Sequence, residues 1–428
     1  MKVLVIGSGG REHALCWAIA KSAKLSKLYC APGNAGIRDV ADCVNIGAED
    51  VDALVDFATD NAIDLVVVGP EAPLVLGVVD KLEAKGIKTF GPSAAASVLE
   101  GSKGFMKDMC AKAGVPTAAY GRFTDAEKAK DFIRENGAPI VVKTDGLAAG
   151  KGVIICQSVD EALKAVDDMM GDKIFGDAGS EIVVEDFLEG EECSFFALVD
   201  GERALPLAAA QDHKAAYDGD KGPNTGGMGA YSPTPIATPE ICDKIMETAI
   251  TPLIKTMAKE GCPYKGVLFC GLMVKDGVPT VLEYNIRFGD PECQVLMMRW
   301  KSDVLEALQA AAEGRLDDIS LEWHDETAMV VVMAANGYPG SYEKGTEIKN
   351  IAAANEIDKA YVFHAGTKAE GDKILATGGR VLGVTGRGTS VIEAQTTTYK
   401  AVDTIDWAEG FCRRDIGWRA VERERQNT

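Results

Sequence analysis

Over the first 120 residues, short apolar runs at 3–6, 64–68 and 88–90 alternate with amphipathic stretches at 12–23 and 74–84. That alternation predicts a parallel sheet with crossover helices. Such sheets collect ligands at the carboxyl ends of their strands. Here those ends carry Gly7-Ser8-Gly9-Gly10, Ala31-Pro32-Gly33-Asn34, Gly69-Pro70-Glu71 and Gly91-Pro92-Ser93. Four such turns predict one shared substrate pocket.

Beyond Gly121 the pattern shortens into a small unit, with helices expected at 125–136 and 159–170 and strands at 140–144, 153–156 and 182–185. It reads as a compact lid. A larger block follows, with strands at 193–199 and 204–210, a glycine-rich loop at 222–229 and a helix at 241–258. Paired strands at 267–274 and 280–285 come next, then a helix that sets Val304, Leu308 and Ala311 on one buried face. A strand at 329–334 and a tail rich in Gly, Thr and Val predict a final antiparallel domain that wraps back on the body. The expected fold class is multidomain α/β. Its parts are an N-terminal parallel α/β domain (1–121), a lid (122–190), a central α+β domain (191–327) and a mainly antiparallel C-terminal domain (328–428).

Composition narrows the class of function. At 428 residues, three or four domains around a cleft are the natural arrangement. The 46% hydrophobic and 26% charged residues suit a globular interior and exclude disorder. With 45 Lys and Arg against 65 Asp and Glu, the net charge of -20 repels polyanions and speaks against nucleic acid or anionic membranes as partners. Any phosphate must be held by local clusters. The 11 cysteines form no CxxC pair, which excludes a disulfide framework or zinc site and points to the cytoplasm. The start, Met1-Lys2-Val3-Leu4-Val5-Ile6-Gly7, reads as a buried strand and not a signal peptide, and no apolar run nears the roughly 20 residues of a membrane span.

Four stretches carry chemistry. Gly7-Ser8-Gly9-Gly10-Arg11-Glu12 opens a helix and suits a phosphate, with Arg11 adding a cation. As a dinucleotide fingerprint it fails, because Glu12 stands where the third glycine belongs. Next, Lys143 ends a strand and leads into Gly146-Leu147-Ala148-Ala149-Gly150-Lys151-Gly152, whose amides and second lysine can close over a polyphosphate. The GxxxxGK[ST] order of a P-loop is absent. Further on, Glu185, the Phe187–Leu188 backbone and Glu192 offer acceptors and a donor to adenine and ribose, although so acidic a stretch alone also reads as solvated surface. Finally Glu283, Asn285 and Arg287 alternate, so two oxygen ligands of the kind magnesium prefers share a face with a guanidinium suited to phosphate.

Lys103, Lys143, the glycine loop, 185–192 and Glu283-x-Asn285-x-Arg287 occur in the order and spacing of the ATP-grasp superfamily. Longer stretches resemble one of its families, the phosphoribosylamine-glycine ligases. These include Gly9-Gly10-Arg11-Glu12-His13-Ala14-Leu15, Gly69-Pro70-Glu71-Ala72-Pro73-Leu74, Gln211-Asp212-His213-Lys214, Gly222-Pro223-Asn224-Thr225-Gly226-Gly227-Met228-Gly229 and Arg287-Phe288-Gly289-Asp290-Pro291-Glu292. The likeness runs on to Phe363-His364-Ala365-Gly366-Thr367 and Asp415-Ile416-Gly417-Trp418, essentially the whole chain.

That resemblance implies ligation of glycine to 5-phosphoribosylamine with ATP, through a glycyl phosphate, in purine synthesis. It implies that Lys103, Lys143, Gly146, Ala149, Gly150, Lys151 and Gly152 hold the ATP phosphates. Glu185, Phe187 and Leu188 would meet adenine, and Glu192 ribose. Glu283 and Asn285 would ligate magnesium or manganese, and Arg287, Asp212 and Lys214 would be catalytic. Gly9, Gly10, Arg11, Glu12, Gly33, Asn34, Pro70 and Glu71 would hold phosphoribosylamine, with Asp212 and Arg287 on glycine and His213 nearby. The partners implied are these small molecules and, in passing, the enzyme that supplies the labile amine. One position departs from the superfamily: Gly271 stands where a metal-binding carboxylate is usual, leaving water, phosphates or Asp212 to complete the shell. A different acceptor within the superfamily, or a nucleotide-binding regulator without turnover, are the competing readings.

Overall fold

A computed structural model describes residues 1–146, 152–171 and 180–426. The expected phosphate ligands Ala149, Gly150 and Lys151 lie outside the described residues.

The N-terminal sheet is parallel throughout, in the order Asp42–Cys43, Lys27–Pro32, Lys2–Gly7, Leu65–Val68, Lys88–Phe90. Alternation along its strands divides the interior in two. Leu4, Ile6, Val66 and Val68 enter one core, and Val3, Val5, Leu65 and Val67 the other. Both faces are therefore covered, as parallel sheets require.

A four-stranded antiparallel sheet, Ala204–Pro206, Glu191–Asp200, Lys265–Lys275 and Val278–Asn285, feeds the same two cores. Phe195 and Ala197 join the first, while Phe196 and Leu198 join the second. The parallel and central sheets are thus packed as one body. The smaller sheet Tyr120–Phe123, Ile182–Asp186, Ile140–Thr144, Val153–Cys156 differs, because Ile133, Ile140, Val142, Val166 and Val184 form a separate core.

Two local departures have physical reasons. The single helix expected at 74–84 is two, Glu71–Val75 and Val78–Ala84, because Gly77 between them sits at φ +80°. The loop expected at 222–229 begins inside a hairpin, Ala215–Tyr217 with Lys221–Asn224.

The terminal sheet runs Gln211–Asp212, Gly229–Ser232, Thr327–Ala335, Arg380–Gly388, Ala360–His364. Its first two strands come from more than ninety residues upstream of the third. Asp212 and its neighbours are consequently built into the sheet that the C-terminal part completes.

Candidate active site

The site begins at the junction of the helix Lys103–Ala113 with the smaller sheet. Ser102 caps that helix, its Oγ accepting from Phe105 N at 3.0 Å, and Asp145 Oδ1 accepts from Gly104 N at 2.6 Å. This fixes Lys103, whose Nζ donates to Gly146 O at 3.3 Å. Lys143, in the middle of the smaller sheet, pairs with Glu185 on the neighbouring strand. Glu185 also receives Lys107 Nζ at 2.5 Å, and Lys107 donates to Thr117 Oγ1 at 2.7 Å. Glu185, expected at adenine, is therefore buried between two lysines. Lys107 went unnoticed in the sequence, although it lies one helical turn after Lys103 among buried Met106, Met109 and Cys110.

The lid strand leaves through Phe187 and Leu188, both half-buried, to Gly190 at φ +146°. A Cβ there would stand 2.5 Å from Val274 O, so only glycine lets the chain pass this close to the central sheet.

On that sheet Glu283 faces a ring of cations. Lys214 Nζ stands 3.7 Å from its carboxylate and 2.8 Å from that of Glu192. Burial opposes ionisation of Glu283, but Lys214, Lys143, Lys103 and Arg287 outweigh it and hold the pKa below the usual range. Lys214 answers in kind: burial works against its charge, and Glu192 and Glu283 hold its pKa above normal. Gly271 pairs across the sheet with Glu283, and a Cβ on it would come within 3.1 Å of Glu283 Cγ. The missing carboxylate thus leaves the space that Glu283 uses.

Arg287, two residues past the strand end, donates from Nη2 to Asn285 Oδ1 and to Glu100 Oε1, each at 3.0 Å, and its Nε lies 3.5 Å from Glu71. Glu100 also accepts from Ile286 N at 2.8 Å, which locks the turn that aims the guanidinium. Burial raises the pKa of Glu100, whereas Arg287 and Arg11 overcome burial at Glu71 and lower it. Sequence reading found Glu71 but missed Glu100, whose only signal is its place three residues before Lys103.

Asp212 is half-buried, accepts from His213 N at 2.7 Å, and has its pKa raised by burial and by Glu292, with Lys214 opposing. Glu292 is buried and accepts from Ser194 Oγ at 2.9 Å. Burial raises the pKa of Glu292 as well.

A second region, a cavity of about 390 Å³, opens between the first and last sheets. Ser8, Gly9, Gly33 and Asn34 line one side, Thr367, Thr377 and Arg380 the other, with Asp290 between. Gly9, Gly33 and Asn34, expected at phosphoribosylamine, are among the residues that line it. Gly10, Arg11 and Glu12 do not line it. Glu12 instead accepts from Gly9 N at 2.6 Å and from Arg11 Nε at 2.6 Å, filling the space left by Gly7 and Gly69. Asn34 is fully engaged, donating to Ser8 O and His364 O at 2.8 Å each and accepting from Gly36 N and Ile37 N at 3.0 Å each. Pro70 caps the helix that carries Glu71. Arg380 donates from Nη1 to Gly226 O at 2.6 Å and to Asp290 O at 2.5 Å, and no motif flagged it.

As for a metal, Glu283 and Asn285 bring one carboxylate and one amide oxygen, and Asn285 Nδ2 is buried with no partner among the described residues. An all-oxygen pair fits a hard cation that takes its other ligands from phosphates and water. Among the described residues no three His, Cys, Asp or Glu are grouped to hold an ion.

Profiles of the phosphoribosylglycinamide synthetase family match in three parts: the N domain over 1–100, the ATP-grasp (A) domain over 101–293 and the C domain over 328–419. The phosphoribosylamine–glycine ligase of Brucella melitensis is 58% identical over 427 residues, covering 100% of both chains. The chloroplastic phosphoribosylamine–glycine ligase of Arabidopsis thaliana is 55% identical, covering 98% of this chain and 80% of its own. Among solved structures, the phosphoribosylamine–glycine ligase of Thermotoga maritima has a TM-score of 0.86 at 32% identity, over 97% of this chain and 100% of that one. The biotin carboxylase domain of Hydrogenobacter thermophilus 2-oxoglutarate carboxylase, in complex with MgADP, ADP and bicarbonate, has a TM-score of 0.74 over 96% and 91%; at 18% identity it shares the fold alone. The chain therefore belongs to the phosphoribosylglycinamide synthetase family, whose similar members carry the name phosphoribosylamine–glycine ligase.

Proposed function

We propose that the protein uses ATP to ligate glycine to 5-phosphoribosylamine, giving glycinamide ribonucleotide, ADP and phosphate, as a step of purine synthesis. The observation that carries this reading is the ring of Lys103, Lys143, Lys214 and Arg287 around Glu283. It brings four cations to one cleft in a protein whose net charge is -20, so two anions can be neutralised there.

A glycine carboxylate oxygen attacks the γ-phosphorus and ADP leaves. The amine nitrogen then attacks the acyl carbon, phosphate departs with the C–O bond, and the amide forms with loss of a proton. Positioning and charge neutralisation supply most of the catalysis in such transfers. Lys103, Lys143, Gly146 and Gly152 bind the ATP phosphates. Phe187 and Leu188 meet adenine, and Glu192 meets ribose. Glu185, on the strand that leads to Phe187, meets adenine with them. Glu283 and Asn285 would hold magnesium or manganese, which when bound neutralises charge on the phosphates. Arg287 stabilises the transferring phosphoryl group and the tetrahedral adduct. Asp212, its pKa raised by burial and by Glu292, anchors the glycine ammonium.

The cavity between the first and last sheets takes the phosphoribosylamine, with Gly9, Gly33 and Arg380 on its phosphate and Glu71 towards its amine. The domain boundaries at 121, 190 and 327, a cytoplasmic location and a passing contact with the enzyme that makes the amine belong to the same proposal. No helix among the described residues is long and apolar enough to cross a membrane, and all 11 cysteines are free, which supports the location.

The test is ADP release by the purified protein with magnesium ATP and glycine, with and without phosphoribosylamine formed in place from ribose 5-phosphate and ammonia. Turnover only with all three substrates, with glycinamide ribonucleotide seen by mass spectrometry, is the expected result. Turnover with another acid or amine in place of these would overturn the substrate assignment.

A further inference from the structure

His213 lies between the two residues assigned to substrate, and its side chain is 5% exposed. Its Nε2 accepts from Gly417 N at 3.0 Å. A backbone amide only donates, so the ring proton sits on Nδ1, which faces Gly229 O at 3.3 Å. Both nitrogens are spent inside the protein, which removes His213 from the substrate. Burial holds its pKa down to about 4, so it stays neutral in use.

Gly417 belongs to a longer seam. Arg413, its side chain fully buried, donates from Nε and Nη2 to Asp415 at 2.8 Å each, from Nη2 to Asp220 at 2.9 Å and from Nη1 to Ala215 O at 3.1 Å. Asp220 also accepts from Arg419 Nη2 at 2.8 Å, Asp415 from Gly219 N at 2.8 Å, and Asp218 from Arg414 N at 2.8 Å. The hairpin 215–224 is thus held from its base to its tip. From the hairpin the chain returns to Lys214, whose carbonyl accepts from Thr225 N at 2.8 Å and Thr225 Oγ1 at 2.9 Å. Gly227 then donates to Thr225 Oγ1 at 3.0 Å, at φ +109°. A Cβ on Gly227 would stand 2.6 Å from Asp212 Oδ1.

Resting on the assignment of Asp212 to glycine, we infer that Arg413 and His213 are positioning residues: the C-terminal seam sets where Asp212 and Lys214 point, and so governs capture of the amino acid without touching it. Lys103, Lys143 and Glu185 are fixed from the helix Lys103–Ala113 and the smaller sheet, so phosphate binding does not depend on the seam.

The experiment uses the full chain with magnesium ATP, glycine and phosphoribosylamine formed in place. R413K keeps the charge but cannot span two carboxylates and a carbonyl, and H213Q cannot make both ring contacts. Each is expected to raise the KM for glycine about tenfold, within the range set by displacements near 1 Å, while kcat and direct ADP binding stay within about threefold. R419A, at an exposed position of the same seam, is expected to move the glycine KM the same way by a smaller factor. An unchanged glycine KM in folded R413K and H213Q overturns the inference, as does a uniform shift of all three KM values together with the melting temperature. If R413K and H213Q do not fold, an unchanged glycine KM in R419A overturns it. A wild-type protein inactive with glycine removes the assignment on which the inference rests, whereas an active wild type with indifferent variants removes the inference alone.

Discussion

The cleft around Glu283 and the seam around Arg413 are both dense in charge, yet they are built on opposite plans. Within the cleft the described residues give Lys103 one carbonyl at 3.3 Å, set Lys214 2.8 Å from Glu192 but 3.7 Å from Glu283, and leave the amide nitrogen of Asn285 unmet. In the seam Arg413 closes on Asp220, Asp415 and Ala215 at 2.8 to 3.1 Å. Charges with loose partners mark where a ligand is to come; charges with tight partners mark where the chain has already found them.

The largest break in this contrast is Arg287 to Ala, which lowers turnover by on the order of 10²- to 10³-fold in a folded variant, the scale of one transition-state donor. Steady-state kinetics with saturating substrates check it.

Next comes acid. His13, His213 and His364 are buried with pKa values lowered by burial to about 3, 4 and 4. The unfolded chain binds their protons near the ordinary value of about 6.5 and the folded chain does not. Their stabilising effect is therefore complete above that pH and declines as pH falls towards 4, by up to about 3 kcal/mol per histidine. Denaturant melts across that window show it, and a flat profile would refute it.

Arg380 to Ala sharpens the contrast from the second cavity. The KM for phosphoribosylamine rises about tenfold, the scale of one charge-assisted contact, with the glycine KM unmoved. The smallest effect belongs to the exposed pair Lys81 and Asp52, 2.7 Å apart, where Lys81 to Ala costs no more than about 0.5 kcal/mol.

How much of this could be read from the chain follows from what sequence order preserves. The strands at 3–6, 65–68 and 140–144 were legible because alternation and apolar runs are local, and Lys103, Lys143, Glu283 and Arg287 because their motifs are contiguous. Glu12 was placed with the phosphoribosylamine residues because it belongs to the contiguous stretch Gly9-Gly10-Arg11-Glu12. Only the folded chain shows those glycines making room for its own carboxylate. Glu100, Lys107, Arg380 and Arg413 were invisible for the complementary reason, since each gains its role from partners 78 or more residues away, or from a sheet edge no periodicity announces, as with Arg287 for Glu100 and Gly226 for Arg380.

One consequence concerns the order in which the molecule is made. The strand Gly229–Ser232, which holds Gln211–Asp212 in place, has its other edge covered by Thr327–Ala335. At ~5–20 residues per second the ribosome needs on the order of ten seconds to travel from one to the other. Throughout that interval the strand Gly229–Ser232, beside Asp212, presents an unfinished edge, open to pairing with a stranger. A chain stopped before residue 327 would keep Lys103 and Lys143 and be left with a sticky border beside Asp212.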